Sequence, residues 1–175
     1  MSAAYCGAAD RSAMLTATYR EAQESDIPAM ARIRAADWET EEYWRNRIAA
    51  YLACELHPKH ALKPRVSYVA YEGASLVGLI AGHLTRRHSC DGELEWINVV
   101  PQRRGSGVAT ELLRLQAGWF VRQKALRICV DVQPKNITAR RFYKRHGARD
   151  LNPHWLVWED MSTMLAERPH LVPGP

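Results

Sequence analysis

No stretch of this 175-residue chain is apolar for long enough to cross a bilayer, so an α-helical membrane span is excluded and no membrane partner is expected. Cysteine is scarce and scattered. Cys6, Cys54, Cys90 and Cys129 form no CxxC pair, which argues against a zinc ribbon or a thioredoxin-like motif. Free thiols in a reducing cytoplasm are the plainer reading, so the expected compartment is cytoplasmic. Internal repeats and low-complexity segments are missing. Residues 1–12 hold no sustained apolar run, so a secretory leader is not expected, and residues 1–13 read as a flexible tail. No Gly-Lys-Ser/Thr completes a Walker A loop and no Gly-x-Ser-x-Gly marks a hydrolase elbow. The only His/Cys clusters, His57-x-x-His60 and His88-x-Cys90, lack metal-ligand spacing, so no metal is expected.

What is present suits one compact domain, placed at residues 14–162 with a Pro-containing tail at 163–175. The net charge of +5 is unevenly spread. Between Pro101 and Arg149 twelve Lys/Arg face two acids, Glu111 and Asp131, so the rest of the chain is net acidic. That asymmetry suggests a polyanionic partner, either nucleic acid or a cofactor with several phosphates. Nothing resembles a helix-turn-helix or an RNA-binding motif, so nucleic acid is not the expected partner.

Periodicity sets the elements. Met14–Arg20 alternates as a strand with Leu15, Ala17 and Tyr19 on one face. Ser25-Asp26-Ile27-Pro28 opens a helix, and Ile27, Met30 and Ile33 follow at helical spacing. A second helix starts at Thr40 and carries the stripe Trp44, Ile48, Tyr51 and Leu52. Val66–Tyr71 and Leu76–Thr85 form a hairpin around Gly73, and Glu93–Val100 is the next strand. A helix over 107–124, a buried strand over 126–132, a helix from Asn136 to Gly147 and a strand over 154–159 complete the order. Hairpin strands followed by strand–helix alternation predict a mixed sheet in an α/β or α+β sandwich.

The most informative segment is Asn98-Val-Val-Pro-Gln-Arg-Arg-Gly-Ser-Gly-Val-Ala109, a strand leading through a tight loop into a helix. Gly105 and Gly107 let the backbone turn and approach a ligand. Amides at the helix start, with the helix dipole, make an anion site, and Arg103 and Arg104 add charge at its mouth. A diphosphate suits it, though a plain Gly-rich turn has the same composition. A dinucleotide fingerprint needs Gly or Ala where Thr110 stands and no intervening Pro101–Arg104.

Two motifs in order resemble the GNAT (GCN5-related N-acetyltransferase) superfamily. The first is Ile97-x-Val99-x-Pro101 followed by Gln102, Gly105, Gly107 and Ala109. The second is Asn136-x-x-Ala139-x-x-Phe142-Tyr143-x-x-x-Gly147. The resemblance runs from about Leu15 to Glu159. It implies a mixed, mostly antiparallel sheet of six to seven strands flanked by about four helices, with a central strand pair splayed apart. Acetyl-CoA would enter that gap as co-substrate. Its pantetheine would run along the backbone near Ile97 and Val99, and its diphosphate would sit on the amides of Arg104, Gly105, Ser106, Gly107, Val108 and Ala109. Asn136 would contact CoA or simply cap its helix. Tyr143 occupies the family position that protonates the leaving thiolate.

An amine acceptor must be neutral to attack, so a base is needed. Glu95 is the candidate, read as sharing one strand face with Ile97 and Val99, with His83 in reserve on the neighbouring strand. Trp38, Tyr43 and Trp44 among Asp37, Glu39, Glu41 and Glu42 suggest an acceptor side suited to a cationic amine, or else an ordinary helix start. The resemblance therefore implies an N-acetyltransferase acting on a primary amine, in a small molecule or at a protein N-terminus. The alternative is a non-catalytic acyl-CoA-binding module on the same fold. A homodimer is admitted too, with Trp155 and Trp158 as interface candidates.

Overall fold

In a computed structural model, residues 16–166 are described. Strands β1 (Thr18–Glu21), β2 (Leu62–Glu72), β3 (Ser75–Leu84), β4 (Gly92–Val99), β5 (Ile128–Asp131), β6 (Arg149–Asp150) and β7 (Trp155–Trp158) form one sheet in the order β1-β2-β3-β4-β5-β7-β6. Every pairing is antiparallel except β4 with β5. Helices α1 (Ile27–Ala35) and α2 (Glu41–Leu52) cover one face. The other carries α3 (Val108–Arg122), α4 (Ile137–Arg145) and the short α5 (Thr163–Ala166). This is the mixed, mostly antiparallel sandwich expected. Leu15 and the start of the first strand lie outside the described residues. Ala17 and Tyr19 do pack against the same core.

Local chemistry explains the helix starts. The Thr40 hydroxyl accepts from the Tyr43 N–H at 3.1 Å and caps α2, whose Trp44, Ile48 and Tyr51 are buried. Met30 and Ala31 turn inward from α1 and meet Val69, Leu79 and Trp96. On the opposite face α3 lies directly on the sheet backbone. A Cβ at Gly92 would come within 2.5 Å of the Phe120 ring, so only glycine permits that approach.

Trp155 and Trp158 are not exposed. Trp158 is buried and its indole N–H donates to the His146 carbonyl at 2.7 Å, while Trp155 packs with Cys90, Cys129 and Val157. The two-residue β6, which the sequence pattern does not signal, pairs along β7 and leaves it inside the sheet. Neither tryptophan offers a dimer surface. Thr163–Ala166, read as tail, is helical, and Met164 is buried in the core. Cys90 and Cys129 are buried and Cys54 half-buried, all as free thiols. Among the described residues no helix is long and apolar enough to cross a membrane.

The entry to α1 is locked by Asp26. Its carboxylate takes two hydrogen bonds from Arg20, at 2.6 and 2.8 Å, one from the Gln23 N–H and one from the Tyr71 hydroxyl. The Arg20 pair, with the Gln23 and Tyr71 donors, overcomes burial and holds the carboxyl down at about 2. A depressed carboxylate stabilises the fold above its unfolded value and loses that contribution as pH falls through the folded one. Asp26→Asn is therefore expected to cost about 2 kcal/mol at pH 7 and far less near pH 2, measured by urea unfolding at both.

Candidate active site

Strands β4 and β5 pair over only three residues, Gly92–Leu94 against Ile128–Val130. Beyond Leu94 they separate, and Glu95 to Val99 faces the opening. This is the splayed central pair, and three groups of residues meet around it.

The first is the loop before α3. Pro101–Arg103 makes a single 3-10 turn, then Gly105 and Gly107 take φ of +80° and +92°. An added Cβ would meet nothing within 4 Å at either glycine, so the concave side is open. The first helical amide bond runs from Glu111 N–H to Gly107 O, which leaves the Val108, Ala109 and Thr110 N–H groups without helical partners. The Arg104 and Ser106 N–H groups already close turns onto Pro101 and Arg103. Within the run from Arg104 to Ala109 the amides open to an anion are thus those of Gly105, Gly107, Val108 and Ala109, and Thr110 adds one beyond it. Arg103 is paired with Glu72 at 2.5 Å. Arg104 donates to the Val99 carbonyl at 3.2 Å and lies 3.5 Å from Asp37.

The second group lies on α4. The Asn136 side-chain oxygen accepts from the Ala139 N–H at 3.1 Å, so it caps the helix. Tyr143 is buried, edge-on to Trp158 at 5.6 Å. Burial raises its phenol well above the ordinary value, against the pull of Arg34, and no hydrogen bond ties its hydroxyl to another described side chain.

The third group corrects the strand-face reading. Ala81 pairs with Trp96 and Gly82 with Leu94, so Glu95 is the extra residue of a β-bulge. The bulge breaks the alternation. Ile97 and Val99 pack on the α3 side with Leu94, whereas Trp96 packs under α1 and α2. Glu95 goes with Trp96, its carboxylate 3.6 Å from Arg47 of α2. There it joins Glu93 and His83, and one ligand atom from each lies within 4.8 Å of the others. Among the described residues this assembly, and neither His57/His60 nor His88/Cys90, is where metal-type donors converge. Its carboxylates already lie near cations, with Arg87 at 3.1 Å from Glu93. His83 is 1% exposed and its Nδ1 sits 3.1 Å from the Tyr51 hydroxyl.

Trp38, on the α1–α2 connection, packs edge-to-face on Tyr43 of α2 at 5.8 Å, and Trp38 is 58% exposed. The neighbouring acids are engaged. Glu41 pairs with Arg45 at 2.6 Å, and Asp37 accepts from Asn98 at 3.3 Å. Sequence reading missed Arg34, whose guanidinium lies 3.8 Å from the Trp44 ring centre and 5.1 Å from that of Trp96. A signal was available, because Arg34 continues the inward spacing of Ile27, Met30 and Ala31.

A seven-stranded sheet with one splayed pair and an anion-ready loop at its mouth defines an acyl-transferase architecture of the GNAT kind. Residues 21–148 match the Acetyltransferase (GNAT) family, and the chain belongs to it. An uncharacterised N-acetyltransferase of Methanocaldococcus jannaschii is 31% identical over 119 residues, which is 66% of this chain and 74% of that protein. A GNAT-family crystal structure from Desulfovibrio desulfuricans superposes with a TM-score of 0.67 at 16% identity, covering 82% of this chain and 97% of that one. A PaiA N-acetyltransferase from Thermoplasma acidophilum, solved with coenzyme A, gives 0.61 at 15% identity, covering 83% and 99%.

Proposed function

We propose that the protein transfers an acetyl group from acetyl-CoA to a primary amine by direct attack within a ternary complex. The observation that carries this reading is the opening between β4 and β5, ending on the free amides of Gly105, Gly107, Val108 and Ala109. Four converging N–H groups at the start of a 15-residue helix suit a diphosphate. The exposed edge of β4 from Glu95 to Val99 offers backbone groups to pantetheine, and the Asn136 amide nitrogen is left for the same ligand. The coenzyme A complex of the PaiA relative is in keeping with that assignment.

The chemistry then divides between two side chains. Glu95 takes a proton from the incoming ammonium, directly or through water. The amine nitrogen forms a bond to the thioester carbonyl carbon, the carbon–sulfur bond breaks, Tyr143 donates its proton to the departing sulfur, and the second proton shed by nitrogen as the amide forms returns through water to the Tyr143 oxygen. His83 and Glu93 lie within 4.8 Å of Glu95, and Arg47 sits 3.6 Å from its carboxylate at the bulge. With Arg87 and Arg47 at the carboxylates, the cluster reads as an ion-pair network and not as a metal site.

Gly107→Ala tests the cradle. At a φ of +92° an L-residue is strained by about 1 kcal/mol, and its methyl group would enter the space meant for ligand oxygens. CoA affinity by calorimetry is expected to fall at least about tenfold, with only a small loss of thermal stability. The function itself is tested by incubating the protein with acetyl-CoA and an amine panel, following free thiol and N-acetyl product by mass spectrometry. Acceptor-dependent product supports transfer. CoA binding without product from any amine would favour the non-catalytic module.

A further inference from the structure

The acceptor side holds three guanidinium groups, from Arg34, Arg47 and Arg87, against the carboxylates of Glu93 and Glu95. That is the reverse of a site built for a polycation. Arg34 and Arg65 show what distinguishes a ligand-binding arginine from a structural one. The Arg65 guanidinium is consumed by carbonyls of Tyr51, Cys54, Leu56 and Ala61. Among the described residues the Arg34 guanidinium makes one side-chain bond, to Asn98 at 2.6 Å, and its Nε–H is buried without a partner. A guanidinium carries five donors, and a buried one left unsatisfied costs free energy until an acceptor arrives. Stacking on Trp44 and Trp96 fixes the plane of the group in advance.

Position adds the second half. Arg34 is close enough to both Glu95 and Tyr143 to act on their charges. Burial pushes it down to about 10, with Glu95 and Asp37 offsetting only part of that cost, so it remains a cation short of countercharge. Arg47, which touches Glu95, also faces the Trp44 ring, at 5.9 Å. A cation here disfavours a second positive charge on the acceptor and favours an anion.

We propose that the acceptor is an amine that also carries an anionic group, a carboxylate or a phosphate, bound by Arg34 while its amine is presented to Glu95. This rests on the acetyl-transfer reading and narrows its substrate class. Trp38 and Tyr43, exposed next to Trp44, offer aromatic surface to an apolar or aromatic remainder.

The test uses matched acceptors: tyrosine against tyramine for a carboxylate, phosphoethanolamine against ethanolamine for a phosphate, and spermidine as a polycation. The anionic member of at least one pair should be acetylated with kcat/KM about ten- to a hundredfold higher, through a lower KM. The pair that shows it identifies the anion. Arg34→Gln should pull that ratio toward one, and Arg34→Lys should restore it only in part. A preference for spermidine or the neutral amines would overturn the proposal. So would a uniform fall in kcat for both members of a pair in Arg34→Gln, which would assign Arg34 to the thioester. Calorimetric binding of the same pairs to the protein–CoA complex separates the two readings. Anion preference in binding with no acetylation overturns the transfer reading and leaves Arg34 as an anion site only. Acetylation without preference does the opposite.

Discussion

Glu95→Gln is expected to lower kcat/KM for the amine by about 10²–10⁴ at pH 7, the range found when a general base is removed. Glutamine keeps the size of the side chain and, with it, the packing at the bulge, but it cannot accept the ammonium proton. The loss has a signature that a structural defect lacks. As pH rises toward the acceptor's own value, about 8 for an α-amine and about 10 for an alkylamine, the neutral nucleophile forms without help. The gap between wild type and variant should then narrow, and should do so at lower pH for the α-amine. CoA affinity should change little, since the open amides belong to the loop before α3 and not to the bulge that holds Glu95. Parallel pH profiles with a constant gap would remove Glu95 from the base role.

Tyr143→Phe is expected to reduce kcat by about 10²–10³ with little change in KM for acetyl-CoA. Among the described residues the hydroxyl has no hydrogen-bond partner to orphan, and Phe preserves the edge-on contact with Trp158, so thermal stability should stay close to wild type. Because burial raises the phenol, it remains protonated throughout the assay range, and no alkaline loss of activity should arise from Tyr143. A thiolate in water has a value near 8.5, so proton donation by a raised phenol is favourable only where the sulfur is desolvated too. An acyl donor with a more acidic leaving thiol should therefore be transferred by the variant with a smaller deficit. An equal deficit for both thiols would contradict the donor role.

The parts of this site that rest on local chemistry were legible in the sequence. Thr40 and Asn136 are caps whose partners lie three residues on, and the two glycines before α3 sit where a strand must turn into a helix. What depends on partners distant in the chain was not. The alternation that placed Glu95 with Ile97 and Val99 assumed an uninterrupted strand. The bulge arises from register against Ala81 and Gly82, thirteen or more residues earlier, and it turned the carboxylate toward α2. Trp155 and Trp158 looked free because β7 reads as a terminal strand, while a two-residue strand too short to signal itself covers its outer edge. The acids around Trp38 suggested a cationic acceptor. Two of them, Glu41 and Asp37, pair with Arg45 and Arg104, partners that the sequence pattern around Trp38 does not signal.

The most direct test of the account is a crystal structure of the protein with coenzyme A. The diphosphate oxygens should lie about 3 Å from the amide nitrogens of Gly105, Gly107, Val108 and Ala109, with the thiol end between β4 and β5 on the Tyr143 side. Coenzyme A bound elsewhere, with the loop before α3 closed on its own carbonyls, would contradict it.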